Sequence, residues 1–164
     1  MPILDRDAFE FFSRSAEQTR RLGMRLGALL QPGDVICLSG DLGAGKTTMV
    51  QGIAHGWGSL DAVSSPTFVL VNEYRRLDGN RLSHLDAYRL QNALEAEDLD
   101  LDNLLEKGVL VVEWPERIQS ALPKEFLLVK LKWMADEQRD LVLSAKGVHH
   151  NDLLTKFRRS VLGG

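Results

Sequence analysis

The sequence predicts a single α/β domain over residues 1–164, and three features support this fold class. A glycine-rich stretch at residues 40–47 lies between an apolar run at 35–38 and a helix-like segment at 48–55. A second apolar run, at 109–112, is continuous, as is typical of a buried parallel strand. With 44% hydrophobic and 26% charged residues, a chain of this length can bury one sizeable core and leaves no room for a second domain.

Composition excludes several classes of protein. A net charge of −3 gives no overall attraction to nucleic acid, so we expect no DNA binding and only local or partner-mediated contact with RNA. No apolar run approaches the length of a membrane span, and the first residues lack the layout of a signal peptide. We therefore expect a cytoplasmic protein without a membrane role. The single cysteine, Cys37, lies in the presumed central strand, where a buried structural thiol is expected.

The first predicted element is an amphipathic helix over residues 13–30. Ser15 followed by Gln18 forms a candidate capping box at its start, although Ser13 is an alternative cap. Four arginines lie largely off its apolar face: Arg14, Arg20, Arg21 and Arg25. They could contact phosphate or RNA, but a solvated helix face explains them without any ligand.

The glycine-rich stretch fits the pattern of a phosphate-binding P-loop, in which Gly is followed by four residues, Gly-Lys and Ser or Thr. Its glycines let successive backbone N–H groups point at a polyphosphate, next to the positive end of a helix. Lys46 is then predicted to reach the β- and γ-phosphates, Thr47 to ligate Mg²⁺ and Thr48 to reach the α-phosphate. The predicted nucleotide-binding residues of this loop are Gly40, Asp41, Leu42, Gly43, Ala44, Gly45, Lys46, Thr47 and Thr48.

Residues 62–67 are polar and predict a loop after the P-loop helix. In P-loop enzymes this region often senses the γ-phosphate and Mg²⁺, and Thr67 is the candidate for that role. A Ser-Pro turn that only starts the next strand explains the same residues.

A hairpin is predicted next, from residues 68–74 through the turn at 78–80 to residues 81–86. Asp86 ends its second strand, where a P-loop enzyme places a Mg²⁺-binding carboxylate, although that strand is rather polar for a buried position. His84 has no partner at metal-ligand spacing, so we interpret it as structural.

The acidic residues between positions 93 and 107 predict one or two short helices with a solvated face, or a docking surface for a basic partner. The apolar run that follows ends at Glu113, at the strand end where α/β sheets bind ligands. Glu113 could complete the Mg²⁺ shell or orient the attacking water, and the roles of Asp86 and Glu113 stay open between them.

The remaining sequence predicts a second hairpin, with strands at 125–133 and 139–145, and a terminal helix at 151–161.

Four segments together resemble the TsaE family, also called YjeE, of bacterial P-loop ATPases required for threonylcarbamoyladenosine in tRNA. They are Leu38-Ser39-Gly40-Asp41-Leu42-Gly43-Ala44-Gly45-Lys46-Thr47-Thr48, Ser65-Pro66-Thr67-Phe68, His84-Leu85-Asp86-Ala87-Tyr88-Arg89-Leu90 and Val112-Glu113-Trp114-Pro115. The P-loop is shared by many families, but the third and fourth segments at this spacing are specific.

The resemblance implies a mostly parallel central sheet with flanking helices, Mg²⁺-dependent ATP binding and weak ATP hydrolysis stimulated by partner proteins. Those partners would be TsaD and TsaB, which carry out the transfer chemistry, so that tRNA is reached only through the complex. Phosphate, Mg²⁺ and catalytic roles would pass to Lys46, Thr47, Asp86 and Glu113. Thr67 would have the switch-like role, and Arg139 would lie near the nucleotide.

Two other classes of protein share features of this sequence. A small GTPase would need an Asn-Lys-x-Asp element for guanine, which the sequence lacks. A small-molecule P-loop kinase fits the size and the loop, but it would need an acceptor pocket and usually an arginine-bearing lid, and no segment clearly supplies either.

Overall fold

The computed structural model describes residues 8–63, 71–88, 90, 93–106 and 108–163. One seven-stranded sheet runs through the molecule, with helices against both faces. The strands are β1 (Phe9–Ser13), β2 (Val35–Ser39), β3 (Val71–Arg75), β4 (Arg81–Asp86), β5 (Gly108–Glu113), β6 (Phe126–Ala135) and β7 (Gln138–Lys146). The helices are α1 (Ala16–Gly27), α2 (Lys46–Trp57), α3 (Ala93–Glu97), α4 (Leu101–Glu106) and α5 (Val148–Gly163), and a 3₁₀ segment covers Pro115–Ala121.

The sheet has the strand order β1-β7-β6-β2-β5-β4-β3. Its four central strands, β6, β2, β5 and β4, are mutually parallel, whereas β7, β1 and β3 pair antiparallel at the two sides. This arrangement confirms the predicted fold class: a mostly parallel centre with antiparallel hairpins and flanking helices.

Strand β2 is buried on both faces, which explains its continuous apolar sequence. Ile36 and Leu38 belong to the core under α1, α2 and α5, whereas Val35 and Cys37 belong to the core under α3, α4 and the 3₁₀ segment. Burial raises the pKa of the Cys37 thiol to about 12, so the thiolate is absent at neutral pH. Cys37 is therefore an inert core residue, as the sequence predicts.

Helix α1 begins later than predicted because Ser15 caps it, and it ends at Gly27 instead of residue 30. The Ser15 side chain accepts a hydrogen bond from the backbone N–H of Gln18 at 3.1 Å, and the helix begins at Ala16. The alternative cap, Ser13, instead ends β1, a strand that the sequence analysis missed and that pairs with β7. The four arginines of this region are all exposed, as expected of a solvated face.

Both predicted hairpins are present, and β4 corrects one expectation. Residues 82–85 of β4 are all buried even though the strand sequence is rather polar, because β4 lies inside the sheet between β3 and β5. The acidic segment forms α3 and α4, with its carboxylates exposed. The terminal helix starts at Val148, three residues before its predicted start. None of the helices in the described part of the chain is both long and apolar enough to cross a membrane.

Helices α1 and α2 approach each other closely through glycines on both. A Cβ atom added to Gly27 would come closer than 3.0 Å to the carbonyl oxygen of Ile53, and one added to Gly56 would come equally close to that of Met24. Backbone cannot move away as a flexible side chain can. The position of α2, and with it the end of the P-loop, depends on these glycines.

Gly27→Ala and Gly56→Ala are each expected to lower the free energy of unfolding by about 1–2 kcal/mol, since overpacking costs about 2–3 kcal/mol against backbone atoms and outweighs the ~1 kcal/mol gain in helix propensity. Urea titration measures the effect. Gly163→Ala is the matched control, because no atom lies within 4 Å of a Cβ at that position. Equal stability of all three variants would contradict close packing of α1 on α2.

A histidine holds α5 against the start of β2. His150 is buried, its Nε2 accepts a hydrogen bond from the Val35 backbone N–H at 3.0 Å, and its Nδ1 is buried without a partner among the described residues. Burial lowers the pKa of His150, and the nearby charge of His149 lowers it too, whereas Asp34 and Glu125 act in the opposite direction. The neutral imidazole is therefore the folded form.

Since the folded pKa of His150 lies below the unfolded value of about 6.5, the unfolded chain takes up this proton first. The stabilisation is complete above pH ~6.5 and is lost as the pH falls below it, with a slope of at most about 1.4 kcal/mol per pH unit. Urea unfolding of wild type and His150→Asn between pH 8 and 5.5 measures this. The two slopes should differ only at the acid end, and parallel curves throughout would contradict the assignment.

Candidate functional site

The P-loop connects the end of β2 at Ser39 to the start of α2 at Lys46. Gly43 and Gly45 have φ values of +81° and +100°, which L residues with side chains rarely adopt. Gly45 is also the N-cap of α2 and has no side chain to satisfy the first N–H groups of the helix. These donors and the positive end of the helix dipole are therefore available to an anion at this loop.

Lys46, the first residue of α2, is only 6% exposed. Its Nζ donates to the carbonyl oxygen of Gly40 and, at 3.0 Å, to that of Asp41, and it lies 4.2 Å from the centre of the Trp114 ring. Burial lowers the pKa of Lys46, whereas nearby carboxylates, Glu113 foremost, act to raise it. The ammonium is thus a largely desolvated donor held across the loop.

Asp86 and Glu113 are brought together by strand register. They are directly paired across the parallel strands β4 and β5, and Glu113 is also paired with Leu38 of β2. Alternation along these strands places both carboxylates on the sheet face that carries α2, since Leu82 and Val111 pack in that core. Both carboxylates act on the pKa of Lys46. The structure therefore joins one lysine and two acids at one edge of the sheet.

The two carboxylates have different surroundings. Glu113 is 5% exposed, and its Oε2 lies 2.6 Å from His84 Nε2. Asp86 is half-buried, and its Oδ1 accepts a hydrogen bond from the backbone N–H of Tyr88 at 3.0 Å. The Glu113 carboxylate is thus buried and held in place at the end of β5, whereas the Asp86 carboxylate is partly exposed to solvent.

The hydroxyl of Thr47 belongs to the exposed first turn of α2, beside Lys46, and Thr48 follows it half-buried. A hydroxyl and two carboxylates are hard oxygen ligands of the kind Mg²⁺ prefers, and Mg²⁺ sites of nucleotide enzymes use few such groups together with substrate phosphates and water. Within the described ranges, no three His, Cys, Asp or Glu side chains group into a metal site made by protein alone. The residues present fit Mg²⁺ held jointly with a polyphosphate.

Arg139 lies at the start of β7, and its side chain also contacts the P-loop. Its guanidinium donates to the carbonyl oxygens of Ala44 and Gly43 at 3.0 and 3.1 Å, and to those of Asp136 and Gln138 in its own hairpin at 2.8 and 3.0 Å. Arg139 therefore ties the β6–β7 hairpin to the P-loop backbone. The sequence-based expectation that it lies near the nucleotide is compatible with this position.

Trp114 is a site residue that the sequence analysis did not single out. It has the left-handed values φ 60° and ψ 50° directly after β5, and its N–H donates to the carbonyl oxygen of Leu38 at 3.2 Å. Its ring contacts the Lys46 ammonium and also the Tyr88 ring, whose centre lies 5.0 Å from its own. The sequence signal for Trp114 was its position directly after Glu113, at the end of an apolar strand. The contact of its ring with Lys46 depends on the tertiary structure and could not be read from the sequence. Thr67, the predicted switch residue, lies outside the described residues.

Comparison with known proteins places this site in a family. The sequence model of the family described as "Threonylcarbamoyl adenosine biosynthesis protein TsaE" matches residues 13–141. Two proteins named "tRNA threonylcarbamoyladenosine biosynthesis protein TsaE" are similar to the chain. The one from Bacillus subtilis is 40% identical over 145 residues, covering 87% of this chain and 89% of the relative. The one from Streptomyces coelicolor is 46% identical over 134 residues, covering 78% and 90%.

A solved structure agrees with these sequence matches. The crystal structure of Bacillus subtilis YdiB superposes with a TM-score of 0.77 at 32% identity, covering 97% of this chain and 98% of that one. The family match spans β2, β4 and β5, which carry the P-loop and both carboxylates. The chain therefore belongs to the TsaE family of threonylcarbamoyl adenosine biosynthesis proteins.

Proposed function

We propose that this protein is a Mg²⁺-dependent ATPase that acts with the TsaD–TsaB pair in forming threonylcarbamoyladenosine on tRNA. The observation that carries the proposal is the convergence of Lys46, Asp86 and Glu113 at the end of a P-loop. A lysine, two carboxylates and a helix N-terminus are the groups that a metal-assisted phosphoryl transfer needs.

Each group has a distinct task in this proposal. The loop N–H groups and Lys46 bind the β- and γ-phosphates, with Lys46 exchanging its bonds to the Gly40 and Asp41 carbonyls for bonds to phosphate oxygens. Thr47 and Asp86 hold Mg²⁺, which supplies charge neutralisation on the phosphates. Glu113, buried and held by His84, orients the attacking water. The Arg139 guanidinium stabilises the conformation of the P-loop backbone by donating to the carbonyl oxygens of Gly43 and Ala44.

Family membership supports the proposed partner assignment. The named relatives are biosynthesis proteins of a tRNA modification, and this chain has no net positive charge with which to bind tRNA by itself. We therefore place tRNA on the partner proteins and assign to this chain the ATP cycle that supports their turnover, in the cytoplasm.

The decisive experiment measures phosphate release from ATP by the chain alone, with purified TsaD and TsaB, and with Mg²⁺ removed by EDTA. We expect slow release alone, stimulation by the partners and loss with EDTA. Competition by GTP should be far weaker than by unlabelled ATP, because the sequence has no Asn-Lys-x-Asp element. Absence of release under all conditions, or transfer of the phosphate to an organic acceptor instead of water, would overturn the proposal in favour of another function.

A further inference from the structure

Tyr74, His84 and Glu113 form a hydrogen-bond chain inside the sheet, and the chain ends at the proposed catalytic carboxylate of Glu113. The Tyr74 hydroxyl lies 3.1 Å from His84 Nδ1, and His84 Nε2 lies 2.6 Å from Glu113 Oε2. The three residues are 3%, 1% and 5% exposed. They lie on the neighbouring strands β3, β4 and β5, so the chain crosses the sheet face under α2.

We assign an ionised carboxylate to Glu113 and an uncharged ring to His84, and the directions of the two hydrogen bonds follow from that assignment. An ionised carboxylate can only accept, so the proton between His84 and Glu113 belongs to His84 Nε2. In the neutral imidazole Nδ1 is then an acceptor, and the Tyr74 hydroxyl donates to it. Tyr74 therefore holds His84 in the tautomer that can donate to Glu113. Its ring also lies against the imidazole, with centroids 6.0 Å apart.

Among the described residues, this hydrogen-bond chain engages only one oxygen of the Glu113 carboxylate. His84 engages Oε2, and the described residues contribute no hydrogen bond to Oε1. An ionised carboxylate buried to this degree is costly unless a donor accompanies it, so His84 both stabilises the charge and fixes the plane of the group. A fixed plane is what a carboxylate needs to orient a water molecule with its second oxygen.

We infer that Tyr74 and His84 are positioning residues for the Glu113 carboxylate, with His84 orienting it directly and Tyr74 setting the tautomer of His84. This inference deepens the proposed function and rests on it. It reassigns His84, which the sequence analysis interpreted as structural, to the alignment of the catalytic group. Neither residue contacts substrate in this account.

The test compares Tyr74→Phe, His84→Gln and Glu113→Gln, with Tyr74→Phe also made in the Glu113→Gln background. Single-turnover ATP hydrolysis is measured with TsaD and TsaB, and ATP affinity is measured separately. A second readout needs no nucleotide: the proton NMR signal of His84 Nε2–H in the free protein. His149→Gln is the matched control, because His149 pairs with the Asp34 carboxylate at the opposite end of β2.

We expect hydrolysis to slow by about 10–100-fold in His84→Gln and by about 5–10-fold in Tyr74→Phe, with ATP affinity changed less than about threefold. His149→Gln should hydrolyse at the wild-type rate. Tyr74→Phe should add nothing once Glu113 is glutamine, because both changes act through one carboxylate. The His84 signal should shift in Tyr74→Phe and in Glu113→Gln but not in His149→Gln.

Additive loss in the double variant, or a fall in ATP affinity that equals the fall in rate, would overturn the positioning role. Tyr74→Phe keeps the ring and removes only the hydroxyl, so the test survives if His84→Gln does not fold. If the wild-type protein hydrolyses no ATP with its partners, the proposed function fails. The NMR signals then decide alone: shifts in both variants support the chain to Glu113, and unchanged signals overturn it.

Discussion

Lys46→Ala is expected to weaken ATP binding by about 100-fold or more while leaving the fold intact. Lys46 is the only cationic residue of the loop sequence 40–47, and its side chain is largely desolvated there. A charge-assisted hydrogen bond contributes about 1.5–3 kcal/mol, and two bonds to phosphate oxygens would therefore account for a loss of this size. Titration with ATP in the presence of Mg²⁺ measures the affinity.

Thermal unfolding of Lys46→Ala should stay close to that of wild type without nucleotide, because the hydrogen bonds of the ammonium go to carbonyls of its own loop and its other contact is the face of the Trp114 ring. ATP should raise the unfolding temperature of wild type and not that of the variant. Lys156→Ala is the matched control, because it removes an exposed lysine of α5 that lies outside the P-loop. Wild-type affinity in a folded Lys46→Ala protein would exclude the P-loop as the phosphate site.

Glu113→Gln is expected to slow ATP hydrolysis by two or more orders of magnitude, about 3 kcal/mol of barrier, with ATP affinity largely retained. The amide keeps the size of the carboxylate and a carbonyl oxygen that can accept from His84. It lacks the negative charge that attracts a proton from water. Asp86→Asn should instead weaken Mg²⁺-dependent ATP affinity, because Asp86 is the more open of the two acids. Single-turnover hydrolysis with the partners and binding titrations with and without Mg²⁺ separate the two effects.

Glu97→Gln, on the exposed surface of α3, serves as the control for removing an acid. Normal hydrolysis in Glu113→Gln together with lost hydrolysis in Asp86→Asn would exchange the two roles. A Glu113→Gln protein that loses chiefly Mg²⁺-dependent affinity would identify Glu113 as a metal ligand.

The P-loop was predictable because its information is local. Glycines at 43 and 45 and the lysine after them specify backbone conformation and charge within a few residues of chain, and the structure has the strand, loop and helix in that order. The apolar run before Glu113 was readable for the same reason, since a strand buried on both faces needs no polar position. Both hairpins were also found from local turn residues.

Strand β1 was missed and the burial of β4 was not expected, because the signals for both come from distant segments. Strand β1 has only five residues and mixed burial, and it exists through pairing with β7 more than 120 residues later. Strand β4 looked rather polar because Ser83 and His84 interrupt it. The sequence does not show that His84 is satisfied by Tyr74 and Glu113, so that a polar side chain can lie in the core.

By itself, the sequence determined the fold class, the strand-loop-helix order around the glycine-rich loop and the strand ends at which Asp86 and Glu113 lie. Tertiary structure alone decided which groups meet. The register of β4 on β5 places Asp86 beside Glu113. His84 is 29 positions away in sequence from the carboxylate that it contacts. Arg139 is 95 positions away from Ala44, whose P-loop carbonyl it contacts. Periodicity and turn chemistry encode the shape of each segment, but a one-residue slip in strand pairing would turn these side chains to the other face. Their meeting is therefore a property of the packed sheet, in which both cores fix the register at once.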